Sequence, residues 1–228
     1  MANSTHLRQI HTQWGGGRHI FGDNAKQFEK RLANCIPEVL ELLHSTYPDY
    51  TFTHMKRINK REFHSQCNWL GDYYESENPF FSPDGGVILV SGGKLTRSYI
   101  VYIGEAKKQG TNDMRALEGL KAQAQGNAIE RSFKNFAEAR IIMHEETYFP
   151  YAVFCYGIDF APGSSILDRL TAATWNHPFN HIYCEKMSGN RERVSVFCNV
   201  SGFTLKEMRD ISFNLSQRSM ECILQINS

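Results

Sequence analysis

The chain carries six cysteines and nine histidines yet has no Cys-x-x-Cys pair. Cys35, Cys67, Cys155, Cys184, Cys198 and Cys222 are scattered, which excludes a compact zinc or disulfide framework and fits a reducing cytoplasm. His177 and His181 stand four apart, but Pro178 argues against one helix presenting both to a metal. A leader-like segment and an apolar run of membrane length are both missing, so no membrane association is expected. So are internal repeats, low-complexity blocks and linkers, which leaves a single domain. Nor is there an excess of positive charge, with Lys+Arg 25 against Asp+Glu 24 and a net charge of +1. Composition alone therefore does not announce a nucleic-acid partner, although basic groups can gather in one cleft and be balanced elsewhere.

What is present is enough for a sizeable core: 228 residues, 41% of them hydrophobic. Residues 1–19 are polar, with Gly15-Gly16-Gly17, and read as a flexible N-terminal arm ahead of one domain over 20–228. Phe28, Leu32, Ile36, Val39, Leu40 and Leu43 predict a helix from Asn24 to about Thr46, broken or restarted at Pro37. Residues 50–58 suggest a strand. Lys60, Arg61 and the aromatics Trp69, Tyr73, Tyr74, Phe80 and Phe81 follow; the rings read as packing before a base-stacking platform. Residues 111–125 are polar, Ala- and Gln-rich, an extended arm or a solvated helix. Tyr151–Tyr156 reads as an interior strand, Ser164–Trp175 as a helix capped by Ser164 or Ser165, and Val194–Val200 as a strand. Thr204 and Glu207 form a capping box for a helix reaching about Leu224. The fold class is α/β: a central mixed β-sheet flanked by α-helices.

The chemistry concentrates between Pro83 and Lys134. Val87–Val90 and Ser98–Gly104 are β-rich runs around Ser91-Gly92-Gly93, the pattern of a hairpin. Pairing Asp84 with Glu105 puts the centre of the hairpin between Lys94 and Leu95, inside the connection. On a strand, Glu105 and Lys107 share one face, roughly 7 Å apart at ~3.3 Å per residue, and Ala106 points the other way. Two carboxylates and a lysine converging at a hairpin end suit Mg²⁺, which takes oxygen ligands and keeps several waters. The lysine can orient an attacking water or stabilise developing charge. The plainer alternative is a turn aspartate beside a surface ion pair.

Asn127 followed by Glu130 marks a helix start, running to about Glu146 with Ile129, Phe133, Phe136, Ala137 and Ile141 as its apolar stripe. Asn127 is either a plain cap or a reader of adenine, since an Asn amide bonds bidentately to N6 and N7 in the major groove.

Pro83-Asp84-Gly85-Gly86, Glu105-Ala106-Lys107-Lys108-Gln109-Gly110, Gly126–Asn135 (Gly-Asn-Ala-Ile-Glu-Arg-Ser-Phe-Lys-Asn), Phe149-Pro150-Tyr151 and Leu167–Ala173 occur in this order. Together with Ile20–Asp23 they resemble the EcoRI-type type II restriction endonucleases of the PD-(D/E)XK nuclease superfamily, over about residues 20–175. The resemblance implies a single-domain restriction-endonuclease-like fold and a homodimer in the bacterial cytoplasm that cuts palindromic double-stranded DNA. It implies a catalytic Mg²⁺ on Asp84, Glu105 and the Ala106 carbonyl, with Lys107 as the catalytic lysine. Asn127, Ala128, Glu130 and Arg131 would read the inner bases. Lys134 and Asn135 would hold phosphates, and Gln109 and Arg169 sit at positions near the DNA. Members sharing Gly-Asn-Ala-x-Glu-Arg read GAATTC or CAATTG, so an AATT core is implied, with 5′ phosphates and 5′ overhangs after cleavage. A cognate methyltransferase would act on the same site without binding stably.

The segments 110–126 and 154–167 are shorter than in the type member, and Gln123 and Ile166 replace a methionine and an arginine there. Inner-base reading therefore transfers better than outer-base reading. Two rival classes are a structure-specific repair or recombination nuclease, disfavoured by the helix motif, and a non-cleaving DNA-binding protein, disfavoured by the intact Asp84, Glu105 and Lys107.

Overall fold

The computed structural model describes residues 17–61, 79–109, 118–121, 127–175, 178–189 and 191–228, with the side chains at 17–25, 127–132 and 158 outside that description. Most of the N-terminal arm, Cys67, Trp69, Tyr73, Tyr74, His177 and most of 111–125, Gln123 included, therefore lie outside the described residues.

Five strands form one mixed sheet in the order β1-β4-β5-β6-β7. β1 (Tyr50–Met55), β4 (Gly86–Gly92) and β5 (Tyr99–Lys108) are antiparallel neighbours, and β6 (Tyr151–Tyr156) and β7 (Ser195–Asn199) continue in parallel. A two-stranded ribbon pairs β2 (Ile58–Asn59) with β3 (Phe80–Phe81). In β6, Tyr151–Cys155 are all buried, as a strand covered on both faces requires.

The helix α1 (Gly17–Thr46) begins ahead of Asn24 and runs unbroken through Pro37, against the expected break. Pro37 lies on the exposed side, while Phe28, Leu32, Cys35, Ile36, Val39 and Leu43 are buried in one stripe on either side of it. Tertiary packing of that stripe outweighs the one lost helical hydrogen bond. α1 packs on α4 (Leu205–Ile226) and both cover β5. α4 starts with the expected capping box, both halves formed between Thr204 and Glu207. Its buried face carries Ser212, Ser216 and Ser219 besides Met208, Leu215, Met220 and Ile223. Ser216 and Ser219 satisfy their hydroxyls on carbonyls one turn back, and Ser212 donates to Tyr102 Oη at 2.9 Å.

The opposite sheet face carries α2 (Asn127–Ile142), whose Phe136 meets the rings of Phe149 and Tyr151 at 5.7 and 6.0 Å. The helix ends at Ile142 rather than Glu146, and its buried residues are Phe136, Ala139 and Ile142 with Met143 just beyond. Ala137 and Ile141, expected in the apolar stripe, are exposed. Phe136 and the partly buried Phe133 pack as expected, while further along Ala139 and Ile142 face the core in place of Ala137 and Ile141, on the side where Phe136 meets Phe149 and Tyr151. α3 (Ser165–Thr174) is capped by Ser164, whose Oγ accepts from Ile166 N.

Candidate active site

Asp84 sits in the Pro83–Gly86 turn at the entry to β4. Gly86 N donates to Pro83 O at 2.9 Å and Gly85 N donates to Gly104 O at 2.8 Å, so the turn is stitched to β5. His54 Nε2 lies 3.1 Å from Gly85 O and buttresses the turn from β1. Gly86 has φ +73°, and a Cβ there would meet His54 Nε2 at 2.3 Å; the turn needs glycine for both reasons.

The hairpin register differs from the sequence expectation by one step. Near the turn, Leu89 pairs with Ile100 and Val90 with Tyr99, on the expected centre. A bulge between Ile88 and Leu89 then shifts the pairing to Val87–Ile103 and Gly86–Gly104. Extended to the turn, this brings Asp84 to Ala106 rather than Glu105. Bulges re-aim side chains beside functional sites, and here the step lets one aspartate reach three groups. Ala106 N donates to Asp84 Oδ2 at 3.2 Å, Lys107 Nζ donates to the same oxygen at 2.8 Å, and Asp84 N donates to Glu105 Oε2 at 3.2 Å. Lys107 Nζ also pairs with Glu105 Oε1.

Glu105 is fully buried. Burial and then the Asp84 charge push its carboxyl up to about 7, against the pull of Lys107. For Lys107, burial alone would lower the pKa, but Glu105 and Asp84 raise it on balance. The lysine therefore stays charged, wedged between two acids. The structure thus brings Asp84, Glu105 and Lys107 together at one end of the hairpin.

Three neighbours join the cluster in ways the sequence did not show, and Glu29 among them carried no signal there at all. Glu29, half-buried on α1, has its carboxyl raised by burial and then by Asp84, so it faces the same cluster. Tyr151 Oη is buried on the Glu105 side of the sheet, with no hydrogen-bond partner among the described residues. Asn135, on α2, donates from Nδ2 to Glu105 Oε1 at 2.9 Å. Among the other residues singled out, Gln109 is buried just beyond β5, with its N–H on Tyr156 O at 3.0 Å. Lys134 and Arg169 are exposed, on α2 and α3. Asn127, Ala128, Glu130 and Arg131 lie in the first turns of α2, and their side chains are outside the described part. Ile166 is buried, so it leaves no charged group where the related pattern has one.

Among the described residues no group of three or more His, Cys, Asp or Glu side chains forms a metal cluster. Asp84 and Glu105 nevertheless fit a hard divalent cation. Two carboxylates meet around a single lysine ammonium, Glu105 buried and Asp84 reaching solvent, and Mg²⁺ completes such a shell with carbonyl, water and phosphate oxygens.

A mixed sheet flanked by helices, with an aspartate at the entry of one strand and Glu-x-Lys on the next, defines a restriction-endonuclease-like α/β fold. The family model described as "Restriction endonuclease EcoRI" matches residues 14–165, and the chain belongs to that family. It is 28% identical over 261 residues to the type II restriction enzyme EcoRI of Escherichia coli, covering 96% of this chain and 94% of that protein. It is 27% identical over 248 residues to the type II restriction enzyme RsrI of Cereibacter sphaeroides, covering 92% and 89%. The protein is thus a type II restriction endonuclease, a phosphodiester hydrolase that cleaves double-stranded DNA site-specifically, and enzymes of this class generally work with divalent metal ions. No helix among the described residues is long and apolar enough to cross a membrane.

Proposed function

We propose that the enzyme cuts both strands of a palindrome with an AATT core, GAATTC first and CAATTG or AATT as alternatives, leaving 5′ phosphates and 5′ overhangs. It works as a homodimer in the bacterial cytoplasm, since a two-fold protein matches a two-fold site. The observation that carries the catalytic part is the meeting of Asp84, Glu105 and Lys107 at one end of the β4–β5 hairpin.

Asp84, Glu105 and the Ala106 carbonyl would hold Mg²⁺, and the ion would supply Lewis-acid stabilisation of charge on the phosphate and a lowered water pKa. Lys107, kept protonated between the acids, aims its ammonium where water approaches and stabilises the charge that builds up. The buried floor around Glu105 keeps bulk water from the carboxylate pair. Asn127, Ala128, Glu130 and Arg131, in the first turns of α2, read the inner bases, an Asn amide being suited to adenine and a small alanine admitting the thymine methyl. Lys134 holds a backbone phosphate, and Gln109 and Arg169 lie near the DNA.

Incubating purified protein with plasmid and Mg²⁺, then sequencing the run-off ends, tests the reading. Discrete fragments with AATT at every end support it. Smearing or structure-dependent cuts point to a repair-type nuclease, and discrete fragments lacking AATT refute the base-reading assignment alone.

A further inference from the structure

Asn135 lies on α2 roughly two turns beyond Asn127, at ~3.6 residues per turn. Its family-based expectation was a phosphate contact. Instead its Nδ2 donates to Glu105 Oε1 at 2.9 Å, and the side chain is half-buried, unlike the exposed Lys134 beside it.

The helix that carries Asn135 is pinned beyond it. Phe136 packs on Phe149 and Tyr151, Glu138 is bridged to Lys60 at 3.2 Å, and Arg140 Nε donates to Glu192 Oε2 at 2.6 Å. Lys186 Nζ donates to the carbonyls of Met143 and His144 at 2.6 and 3.0 Å, closing the C-terminal end of α2. The Asn135 amide is therefore a fixed donor at the head of a clamped segment, and the turns N-terminal to it carry the base-reading residues.

Glu105 receives three kinds of donor: Lys107 and Asn135 on Oε1 and Asp84 N–H on Oε2. Lys107 divides its ammonium between Glu105 and Asp84. Asn135 donates to Glu105 from the clamped helix. It is also neutral, so it orients the carboxylate without repelling a divalent cation, as a second cationic side chain would. Groups that orient metal-binding carboxylates in this way change metal affinity or activity by about 10–100-fold when removed.

We propose that Asn135 is a positioning residue, whose amide aims the Glu105 carboxylate from the recognition helix and makes correct seating of that helix a condition for cleavage. This rests on Glu105 being a metal-binding carboxylate. The test compares Asn135→Ala and Asn135→Asp with wild type and Glu105→Ala on a duplex cut by the wild-type enzyme. It measures Kd in EDTA and the single-turnover rate as a function of Mg²⁺ at saturating enzyme. Asn135→Ala should bind in EDTA within about threefold of wild type but need more Mg²⁺ or cleave about 10–100-fold more slowly. Asn135→Asp, nearly the same shape, should be worse because it sets a third carboxylate against Glu105. A loss of metal-free affinity with an unchanged saturated rate and Mg²⁺ midpoint would overturn the proposal in favour of a phosphate contact. So would two variants indistinguishable from wild type. If Glu105→Ala cleaves normally, the metal-site reading itself fails; if it is inactive while both Asn135 variants behave as wild type, only the positioning role fails. Should the alanine variant not fold, the Mg²⁺ titration of Asn135→Asp decides.

Discussion

Replacing Lys107 with methionine removes the ammonium that bridges Asp84 and Glu105 and leaves two carboxylates facing each other, one of them fully buried. Breaking a buried pair by deleting one partner costs about 3–5 kcal/mol. Lys107 and Asp84 retain 16% and 22% side-chain exposure, which places the cost near the lower end, about 3 kcal/mol. For a domain of this size that is a fall of about 6–12 °C in Tm without metal. The penalty depends on pH. Glu105 already titrates at about 7 beside Lys107, and removing the lysine drives it higher. A carboxyl raised by folding contributes stability that is full below its unfolded pKa and is lost as pH rises through the folded one. The mutant continues to lose stability above pH 7, where the wild type has finished, so the gap between them widens from pH 6 to pH 8.5. Mg²⁺ supplies the missing positive charge and narrows it. Thermal melts followed by circular dichroism in EDTA at both pH values, and again with Mg²⁺, read these effects, and cleavage by the mutant should fall by orders of magnitude. A Tm within about 1 °C of wild type in EDTA at pH 8.5, or a gap independent of both pH and Mg²⁺, would refute the electrostatic account of the cluster.

Asn127→Ala should cost about 1–3 kcal/mol of discrimination per half-site between AATT-centred and singly substituted duplexes. A mere cap would instead lower Tm and leave sequence preference intact. Sedimentation equilibrium across micromolar concentrations, with and without target DNA, should give a dimer; a monomer in both conditions contradicts the homodimer. Thr204→Ala removes one half of the α4 capping box and should cost about 1 kcal/mol, or about 2–4 °C in Tm, with the cleavage rate unchanged.

Legibility in the sequence followed distance along the chain. Thr204 with Glu207, Ser164 ahead of α3 and the Phe28–Leu43 stripe are contained in a few neighbouring residues, and all formed as expected. The continuity of α1 through Pro37 was not readable, because the groups that hold it lie on α4 and the sheet. The second half of the α2 stripe was misplaced for the same reason. Ala137 and Ile141 satisfy the helical period as well as Ala139 and Ile142, and only the sheet face beneath selects between them.

By itself the sequence determined the order Asp84, Glu105, Lys107, the hairpin that brings them together and the mixed α/β character of the chain. Those follow from alternation, turn chemistry and spacing, which act over a few residues. Tertiary structure decided how the cluster is wired. The bulge between Ile88 and Leu89 set Asp84 against Ala106, α1 brought Glu29 toward the acids, and α2 placed Asn135 on Glu105. Each of these joins residues more than twenty positions apart, and no local propensity encodes such a contact, because it exists only once the sheet has paired and the helices have docked on its two faces.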